Sequence, residues 1–226
     1  AWHLVMEDRR ANVEATPIRR VLFGGAPPAA ALAVLREHVP APVHDYLQAW
    51  VELPFHKSLT DAWLNIKAQR EKWAGAPYAP IFVTVDAVVR GDDRVLLIRR
   101  AREPGAGLWA LPGGFVEQDE RLLQAAMREL REETSIGLLQ VSLEDAFRSA
   151  KVFDHPQRSL RGRTITHAHF FDLGRHTPDV QAADDAAEAQ WVPIGRLAAM
   201  ESELFEDHFA ILDHFFELSA LANQTC

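Results

Sequence analysis

Three carboxylates stand at helical spacing near the middle of the chain. Glu129, Glu132 and Glu133 lie at i, i+3 and i+4 of a predicted helix over Arg121–Thr134, and this spacing puts them on one face. Like charges placed in this way repel each other, whereas a hard divalent cation with oxygen ligands turns the repulsion into attraction. The spacing therefore predicts a metal site, although a solvated charged face explains the run equally well when it is taken alone.

Other residues at fixed offsets make the metal site the stronger hypothesis. The pair Gly113-Gly114 lets the backbone turn tightly and approach a ligand closely. Arg128 is placed to pair with Glu120 and to hold the preceding loop against the helix. An apolar face of the same helix can pin it to a sheet while the acids face a cleft. This face consists of Leu123, Met127 and Leu130.

Together these residues resemble the Nudix box, the signature of the Nudix hydrolases. The pattern runs Gly, five residues, Glu, seven residues, Arg-Glu, apolar, any, Glu-Glu, any, Gly, apolar. The matching positions are Gly114, Glu120, Arg128, Glu129, Leu130, Glu132, Glu133 and Ile136. Ser135 stands where the pattern has Gly. Because that Gly usually ends the helix in a left-handed turn, we expect a local backbone cost and no lost catalytic group.

The resemblance implies cleavage of a pyrophosphate bond with the help of a divalent metal. Glu129, Glu132 and Glu133 would hold Mg²⁺, with Mn²⁺ as the alternative ion, and Arg128 would complete the catalytic group. Gly113 is a further metal-binding position on this basis. The ions would offset charge on the phosphoryl oxygens and orient or activate a water.

The general base differs between Nudix families and is either a Glu of the box or an acid on a later loop. The run Asp184–Glu188 is a plausible later loop, in which Asp185 and Glu188 are the candidates. A soluble surface turn explains this run equally well.

Similarity to one branch of the family extends beyond the box. Residues 82–89, 107–115, 152–156, 158–163 and 205–208 resemble the C-terminal Nudix half of bifunctional nicotinamide-mononucleotide adenylyltransferase/ADP-ribose pyrophosphatase enzymes. The resemblance implies a Nudix-type α/β/α sandwich with a mixed sheet. It also implies hydrolysis of ADP-ribose to AMP and ribose 5-phosphate.

This branch suggests a substrate site as well. A basic loop leads into a strand and is well placed to meet phosphates or the distal ribose, although solvated arginines would look the same. Its members are Arg158, Arg161 and Arg163. Arg99, with its neighbour Arg100, ends a strand before the glycine loop and is a weaker candidate. Trp109 can pack beside the ligand base, but a core role fits it equally.

Three histidines are interpreted as structural. His167 and His169 alternate on a predicted strand and so share a face, where two histidines can bind a metal. No third ligand lies nearby in the sequence, and hydrogen-bonded structural histidines are the better interpretation. His208 is expected to fix the terminal helix and to take no part in chemistry.

Strand and helix patterns around the box predict an α/β sandwich. Predicted strands cover 81–89, 95–98 and 164–173, and a short strand ends at 191–193. An amphipathic helix is predicted over Glu203–Leu221, with Phe205, Phe209, Leu212 and Phe216 on one side.

Residues 1–74 read as a small helical segment, separated by a linker at 75–80 from the Nudix domain at 81–226. Helices are predicted over 29–38, from Pro42, and from Ser58 as an N-cap. The run 15–19 resembles the late phosphate motif of the adenylyltransferases, but their early His-x-Gly-His motif is absent. We therefore expect the tail of such a domain, in a truncated chain, without transferase activity.

Composition excludes several kinds of protein. The 226 residues carry a net charge of −8, which argues against nucleic acid as the main partner because phosphate-backbone binding needs a basic face. The single cysteine, Cys226, allows neither a disulfide framework nor a thiolate zinc site and fits a cytoplasmic protein. No apolar run is long enough to span a membrane. A homodimer is expected by analogy with other ADP-ribose pyrophosphatases.

Three other functions compete with hydrolysis of ADP-ribose. The first is a Nudix pyrophosphatase acting on damaged nucleotides, dinucleoside polyphosphates or NADH. The second is an ADP-ribose sensor that regulates genes of NAD metabolism, although no basic recognition helix is visible in the sequence. The third is an adenylyltransferase, which the missing early motif disfavours.

Overall fold

The computed structural model describes residues 15–219. The described chain divides into two compact units, residues 15–69 and residues 70–219. Leu221 of the predicted terminal helix and Cys226 lie outside the described residues.

The first unit is helical. Its helices are α1 Ala15–Leu22, α2 Pro28–Leu35, α3 Ala41–Trp50 and α4 Pro54–Glu71. Their apolar faces share a core of Leu22, Phe23, Leu35, Val39, Leu47 and Val51. Pro42 lies in the first turn of α3, as predicted. The predicted N-cap at Ser58 is wrong: α4 already begins at Pro54, and the Ser58 hydroxyl donates back to the carbonyl of Phe55.

A mixed sheet forms the centre of the second unit, as the sequence predicted. Its strands are β1 Ile81–Gly91, β2 Arg94–Arg100, β3 Trp109–Ala110, β4 Gly113–Phe115, β5 Phe147–Phe153, β6 Arg163–Asp172 and β7 Ala186–Pro193. The order is β3-β2-β1-β6-β5, with β4 also paired to β1 and β7 to β2. β1 and β6 run parallel, and the remaining pairs are antiparallel.

Helices cover both faces of this sheet. They are α5 Leu122–Thr134, α6 Gln140–Ala146, a 3₁₀ helix Ile194–Glu203 and α7 His208–Phe216. Since strand side chains alternate, Val85 and Val89 of β1 enter the core with Leu130 of α5, whereas Val88 packs with Ile211 of α7. This arrangement is the expected α/β/α sandwich. No helix among the described residues is both long and apolar enough to cross a membrane.

The terminal helix differs from its prediction over Glu203–Leu221. Residues up to Glu203 form a 3₁₀ helix, the chain then leaves the helical path, and α7 spans only His208–Phe216. Phe205 lies in the break, where its N–H donates to the carbonyl of Trp109, and Glu206 has a φ of 47°. The break exists because tertiary contacts take these residues, which periodicity alone cannot reveal.

Candidate active site

Helix α5 presents its acids to one side because its other side is fixed in the core. Met127 and Leu130 are buried against β1. The helix ends at Ser135, which has φ 47° and ψ 28°. This left-handed conformation is the one that the Nudix pattern fills with Gly, and it confirms the predicted backbone cost.

The glycine pair brings the backbone of β4 against the carboxylates of α5. Gly113 donates its N–H to Glu133 Oε2 at 2.9 Å. A Cβ at Gly114 would lie 2.3 Å from Glu129 Oε1. Only glycine permits this approach without moving Glu129, and the close approach predicted for the pair is therefore present.

Arg128 joins the loop before α5 to the acidic face. Its guanidinium donates to both carboxylate oxygens of Glu120, at 3.0 and 2.7 Å, which confirms the predicted pair. Its Nη1 also donates to Glu129 and Glu132, at 2.9 Å each. These carboxylates raise the pKa of Arg128, and Arg128 lowers the pKa of Glu120. The bidentate geometry makes this the strongest ion pair of the site.

Burial and mutual repulsion act on the acids that face the cleft. Burial, to which the neighbouring Glu129 adds, raises the pKa of Glu133 to about 8. Burial also raises the pKa of Glu129, with Glu132 and Glu120 adding to the rise. The side chain of Glu132 is 48% exposed. The repulsion inferred from the i, i+3, i+4 spacing therefore operates in the folded protein.

The donor set fits a hard divalent cation, although the acids are not arranged around one. Among residues 15–219 no three His, Cys, Asp or Glu side chains form a ready-made metal cluster, and Arg128 Nη1 lies between Glu129 and Glu132. A cation would stabilise the charged form of Glu133, which burial disfavours. The residues that would hold it are Glu129, Glu132 and Glu133.

Arg99 and Trp109 lie beside each other, apart from these acids. Arg99 is exposed, donates to the carbonyl of Gly107, and lies 3.8 Å from Glu188 and 5.7 Å from the ring centre of Trp109. Trp109 is half-buried and packs against the core on the α7 side. Within residues 15–219 neither forms a hydrogen bond or ion pair with a box residue, and their substrate-binding role stays a prediction.

The three arginines of the basic loop have different surroundings. Arg158 is 3% exposed and makes a bidentate pair with Asp207 at 2.7 and 2.9 Å. Arg161 lies 3.5 Å from Glu206 and over the ring of Phe115. Arg163 donates to the carbonyl of Asp154. Arg158 thus holds the loop to the start of α7, and both Arg158 and Arg161 line a cavity beside Gly113 and Gly114.

Asp185 and Glu188, the two candidate bases after the box, lie in different surroundings. Asp185 pairs with Arg102 at 2.7 Å and lies near enough to Glu133 to raise its pKa. Glu188 is in strand β7 opposite Arg99 and does not lie on the predicted loop. Between the two, Asp185 is the acid near the carboxylate site.

A buried polar layer lies behind Gly113 and Gly114. A structural role was predicted for its member His208, but no role was predicted for Asp86 or Thr166. His208 Nδ1 accepts a hydrogen bond from the N–H of Leu111 at 2.9 Å, and burial lowers the pKa of His208 to about 3. Its Nε2 lies 3.8 Å from Asp86, which accepts a bond from Thr166. Burial raises the pKa of Asp86. A single acid inside an otherwise apolar strand was the signal available for Asp86.

The structural interpretation of His167, His169 and His208 agrees with their surroundings. His169 is buried, and its Nδ1 lies 2.9 Å from the carbonyl of His167. Burial lowers the pKa of His169. His208 fixes the first turn of α7 to the 109–113 segment, as expected.

Comparison with known proteins decides the family. A model of the NUDIX domain matches residues 80–215, well over half of the chain. The chain belongs to the Nudix family. Nudix hydrolases use divalent cations, in agreement with the donor set of α5.

Two curated relatives of this Nudix chain, an enzyme and a repressor, are both named for ADP-ribose. The chain is 34% identical over 133 residues to an ADP-ribose pyrophosphatase of Methanocaldococcus jannaschii, covering 59% of this chain and 72% of that protein. It is 30% identical over 152 residues to the ADPR responsive transcriptional repressor NtrR of Acinetobacter baylyi, covering 66% of this chain and 56% of the repressor.

Among solved structures, a bifunctional NMN adenylyltransferase/ADP ribose pyrophosphatase from Francisella tularensis, complexed with AMP and a manganese ion, is similar to this Nudix chain. The TM-score is 0.84 and the identity 34%. The match covers 96% of this chain but only 64% of the Francisella chain. The described helical unit thus has a counterpart in a longer protein that carries further structure.

Proposed function

We propose that this Nudix chain hydrolyses ADP-ribose to AMP and ribose 5-phosphate with Mg²⁺, for which Mn²⁺ can substitute. The observation that carries the proposal is the acidic face of α5 set against the Gly113-Gly114 backbone. The choice of ADP-ribose as substrate is supported by the similarity to the ADP-ribose pyrophosphatases from Methanocaldococcus and Francisella. We further propose that the protein is cytoplasmic and that it forms a homodimer, and sedimentation analysis tests the homodimer directly.

Each part of the site has a task in this reaction. Glu129, Glu132 and Glu133 would hold the cation, which would supply positive charge against the phosphoryl oxygens. Arg128 keeps these carboxylates and the Glu120 loop in register. Water attacks one phosphorus, the bridging oxygen leaves with the other phosphate, and the proton of the water passes to a base.

The base is either a Glu of the box or Asp185. Glu133 is favoured because it accepts the N–H of Gly113. Asp185 is favoured because it lies near enough to Glu133 to raise the pKa of that carboxyl. We keep Arg99, Trp109, Arg158, Arg161 and Arg163 as the proposed substrate-binding residues. Of these, Arg158 and Arg161 line the cavity beside Gly113 and Gly114, and Arg158 is also paired with Asp207. Glu188 is the weakest base because it faces Arg99.

An ADP-ribose sensor is the second candidate, and the repressor NtrR of Acinetobacter favours it. The two functions predict different fates of bound ADP-ribose. The enzyme needs all three glutamates for turnover, whereas a sensor needs only to bind.

The test is an assay of AMP and ribose 5-phosphate release from ADP-ribose with Mg²⁺. A panel of NADH, dinucleoside polyphosphates and oxidised nucleoside triphosphates runs beside it. Glu132→Gln should abolish release, and the matched control Glu144→Gln, an exposed residue of α6, should leave it unchanged. Faster turnover of a panel compound than of ADP-ribose would show that ADP-ribose is not the preferred substrate. Tight binding of ADP-ribose without turnover of any compound would rule out the hydrolase function and favour the sensor function.

A further inference from the structure

Asp86 is a buried carboxyl in the middle of strand β1. Its Oδ2 accepts the hydroxyl of Thr166 at 2.6 Å, and its Oδ1 lies 3.8 Å from Nε2 of His208. A separation of 3.8 Å is too long for a direct hydrogen bond. Among residues 15–219, Oδ1 therefore accepts no hydrogen bond, and a buried polar atom of this kind requires a partner.

The tautomer of His208 follows from its contact with the loop before β4. Nδ1 accepts the N–H of Leu111 at 2.9 Å, so this nitrogen carries no proton. Burial lowers the pKa of His208 to about 3, and the neutral ring therefore has its one proton on Nε2. This N–H is the group that lies 3.8 Å from Asp86, and within the described part of the chain it has no closer acceptor.

A cavity of about 30 Å³ adjoins both residues. Asp86, His208 and Arg158 line it, together with Gly113. Arg158 is 3% exposed and donates from Nε and Nη2 to Asp207, which leaves the donors of its Nη1 for another partner. A buried water needs about 10–15 Å³ of space and two to four polar partners. The lining residues supply one acceptor and two donors, so the cavity suits a single water.

The same carboxyl lies against the glycine that meets the acids. Asp86 is paired with Gly113 across β1 and β4, and a Cβ at Gly113 would lie 2.9 Å from Asp86 Oδ1. Gly113 in turn donates its N–H to Glu133 at 2.9 Å. Asp86 is therefore linked to the 111–113 segment at both ends, by strand pairing at Gly113 and through His208 at Leu111.

We propose that Asp86 is a positioning residue for the cleavage reaction, which acts through one buried water and the Nε2–H of His208 to hold the 111–113 backbone against Glu133. The water accepts the Nε2–H and a donor of Arg158, and it donates to Asp86 Oδ1. Thr166 fixes the other oxygen of the carboxyl. The inference deepens the proposed function and rests on it for the step that Glu133 serves, whereas the water bridge itself needs no substrate.

Heteronuclear NMR of the metal-free, histidine-labelled protein tests the bridge without turnover. The signals of His208, identified by their loss in His208→Asn, should show the proton on Nε2 and a nuclear Overhauser contact between this proton and a water. Asp86→Leu has a similar volume but no acceptor and should abolish the water contact. Asp86→Asn keeps a carbonyl oxygen and should retain it. A proton on Nδ1, or a water contact that survives in Asp86→Leu, would overturn the proposal.

Steady-state kinetics with Mg²⁺ tests the positioning. Loss of a group that orients a metal-holding side chain lowers activity by roughly 10- to 100-fold. The kcat of Asp86→Leu should fall within this range while KM stays near the wild-type value, because a positioning residue lies outside the substrate contacts. Asp86→Asn should recover most of the loss. Thr166→Val removes the hydroxyl that Asp86 accepts and should lower kcat by less than Asp86→Leu does.

Thr164→Val is the matched control, since Thr164 is a buried threonine of the same strand whose hydroxyl donates to the carbonyl of Gly162. It should keep the wild-type kcat. Thermal unfolding checks that each variant is folded, and Thr166→Val carries the comparison if Asp86→Leu is not. Wild-type kcat in a folded Asp86→Leu, or equal losses in the two threonine variants, would overturn the positioning role. If the wild type hydrolyses no compound, the proposed function fails, and the affinity for Mn²⁺ replaces kcat with the same fold-change expected.

Discussion

The imidazole of His208 holds the N–H of Leu111 at 2.9 Å, two residues before Gly113 donates its own N–H to Glu133. The first turn of the last helix therefore fixes the backbone that meets the carboxylates. His208 performs this role as a neutral acceptor, because burial lowers its pKa to about 3.

Replacing His208 should destabilise the protein through an unpaired backbone group. His208→Leu leaves the buried Leu111 N–H without a partner, a cost of about 1–3 kcal/mol. His208→Asn offers an oxygen near the position of Nδ1 and should recover part of it. Urea unfolding measures both. His214→Leu, an exposed histidine of the same helix, is the control, and equal losses for the Leu and Asn variants at position 208 would contradict the hydrogen-bond role.

Gly114→Ala should damage activity more than folding. The added Cβ would meet Glu129 Oε1 at 2.3 Å, so the carboxylate must move. A displacement of this kind at a catalytic group lowers the rate by about 10²-fold. Gly137→Ala is the matched control, since a Cβ there meets nothing within 4 Å. Steady-state kinetics with Mg²⁺ provides the measurement, and wild-type kinetics in Gly114→Ala would show that the close approach is not required.

Ser135→Gly should stabilise the domain without changing activity. Ser135 has φ 47°, a left-handed conformation that costs a non-glycine residue about 1–2 kcal/mol. Glycine removes that strain, although its greater freedom in the unfolded chain returns part of the gain. The same change at Ser142, inside helix α6, should destabilise by about 0.5–1 kcal/mol. Denaturant unfolding that shows both changes with the same sign would refute the strain at Ser135.

Stability of the metal-free protein should fall as pH rises through neutrality. Glu133 has a folded pKa of about 8, above its ordinary value of 4.5, so the folded state binds the extra proton and loses this advantage as pH rises towards 8. Because the pKa values of His169 and His208 are lowered from 6.5, these two groups change the stability with pH only below about pH 6.5. Above pH 6.5 the two histidines therefore add no slope, and Glu133, whose pKa of about 8 lies between pH 6.5 and 8.5, contributes a decline.

The measurement is thermal unfolding in EDTA across that range. Glu133→Gln cannot lose a proton and should flatten the decline, whereas Glu144→Gln should retain it. Added Mg²⁺ should reverse the decline in the wild type, because the cation favours the charged carboxylate. A slope unchanged in Glu133→Gln would show that this carboxyl is not the titrating group.

Local spacing predicted the parts of the site that depend on one helix. The carboxylate face and the Arg128–Glu120 pair follow from offsets of a few residues, and the left-handed end at Ser135 followed from the resemblance to the Nudix pattern. The strand Ile81–Gly91 and the mixed sheet followed from β-branched runs and family resemblance.

Features that depend on distant partners could not be predicted in this way. Arg158 is paired with Asp207, 49 residues away, and nothing local distinguishes it from a substrate-binding arginine. Alternation separates Arg99 from Arg100 but does not say which of them lines the cavity beside Gly113 and Gly114, which in the structure is Arg100. The terminal helix was predicted too long because Phe205 bonds to Trp109.

The bond from Leu111 to His208 spans 97 residues of sequence, and this separation has a consequence for biosynthesis. A ribosome delivers the acidic helix long before it delivers Phe205, Asp207 and His208, so a nascent chain can contain every box residue and still lack the contacts that organise them. Closing so long a loop also slows folding. The bond that fixes the backbone before Gly113 can therefore form only after His208 has been synthesised and its helix has docked.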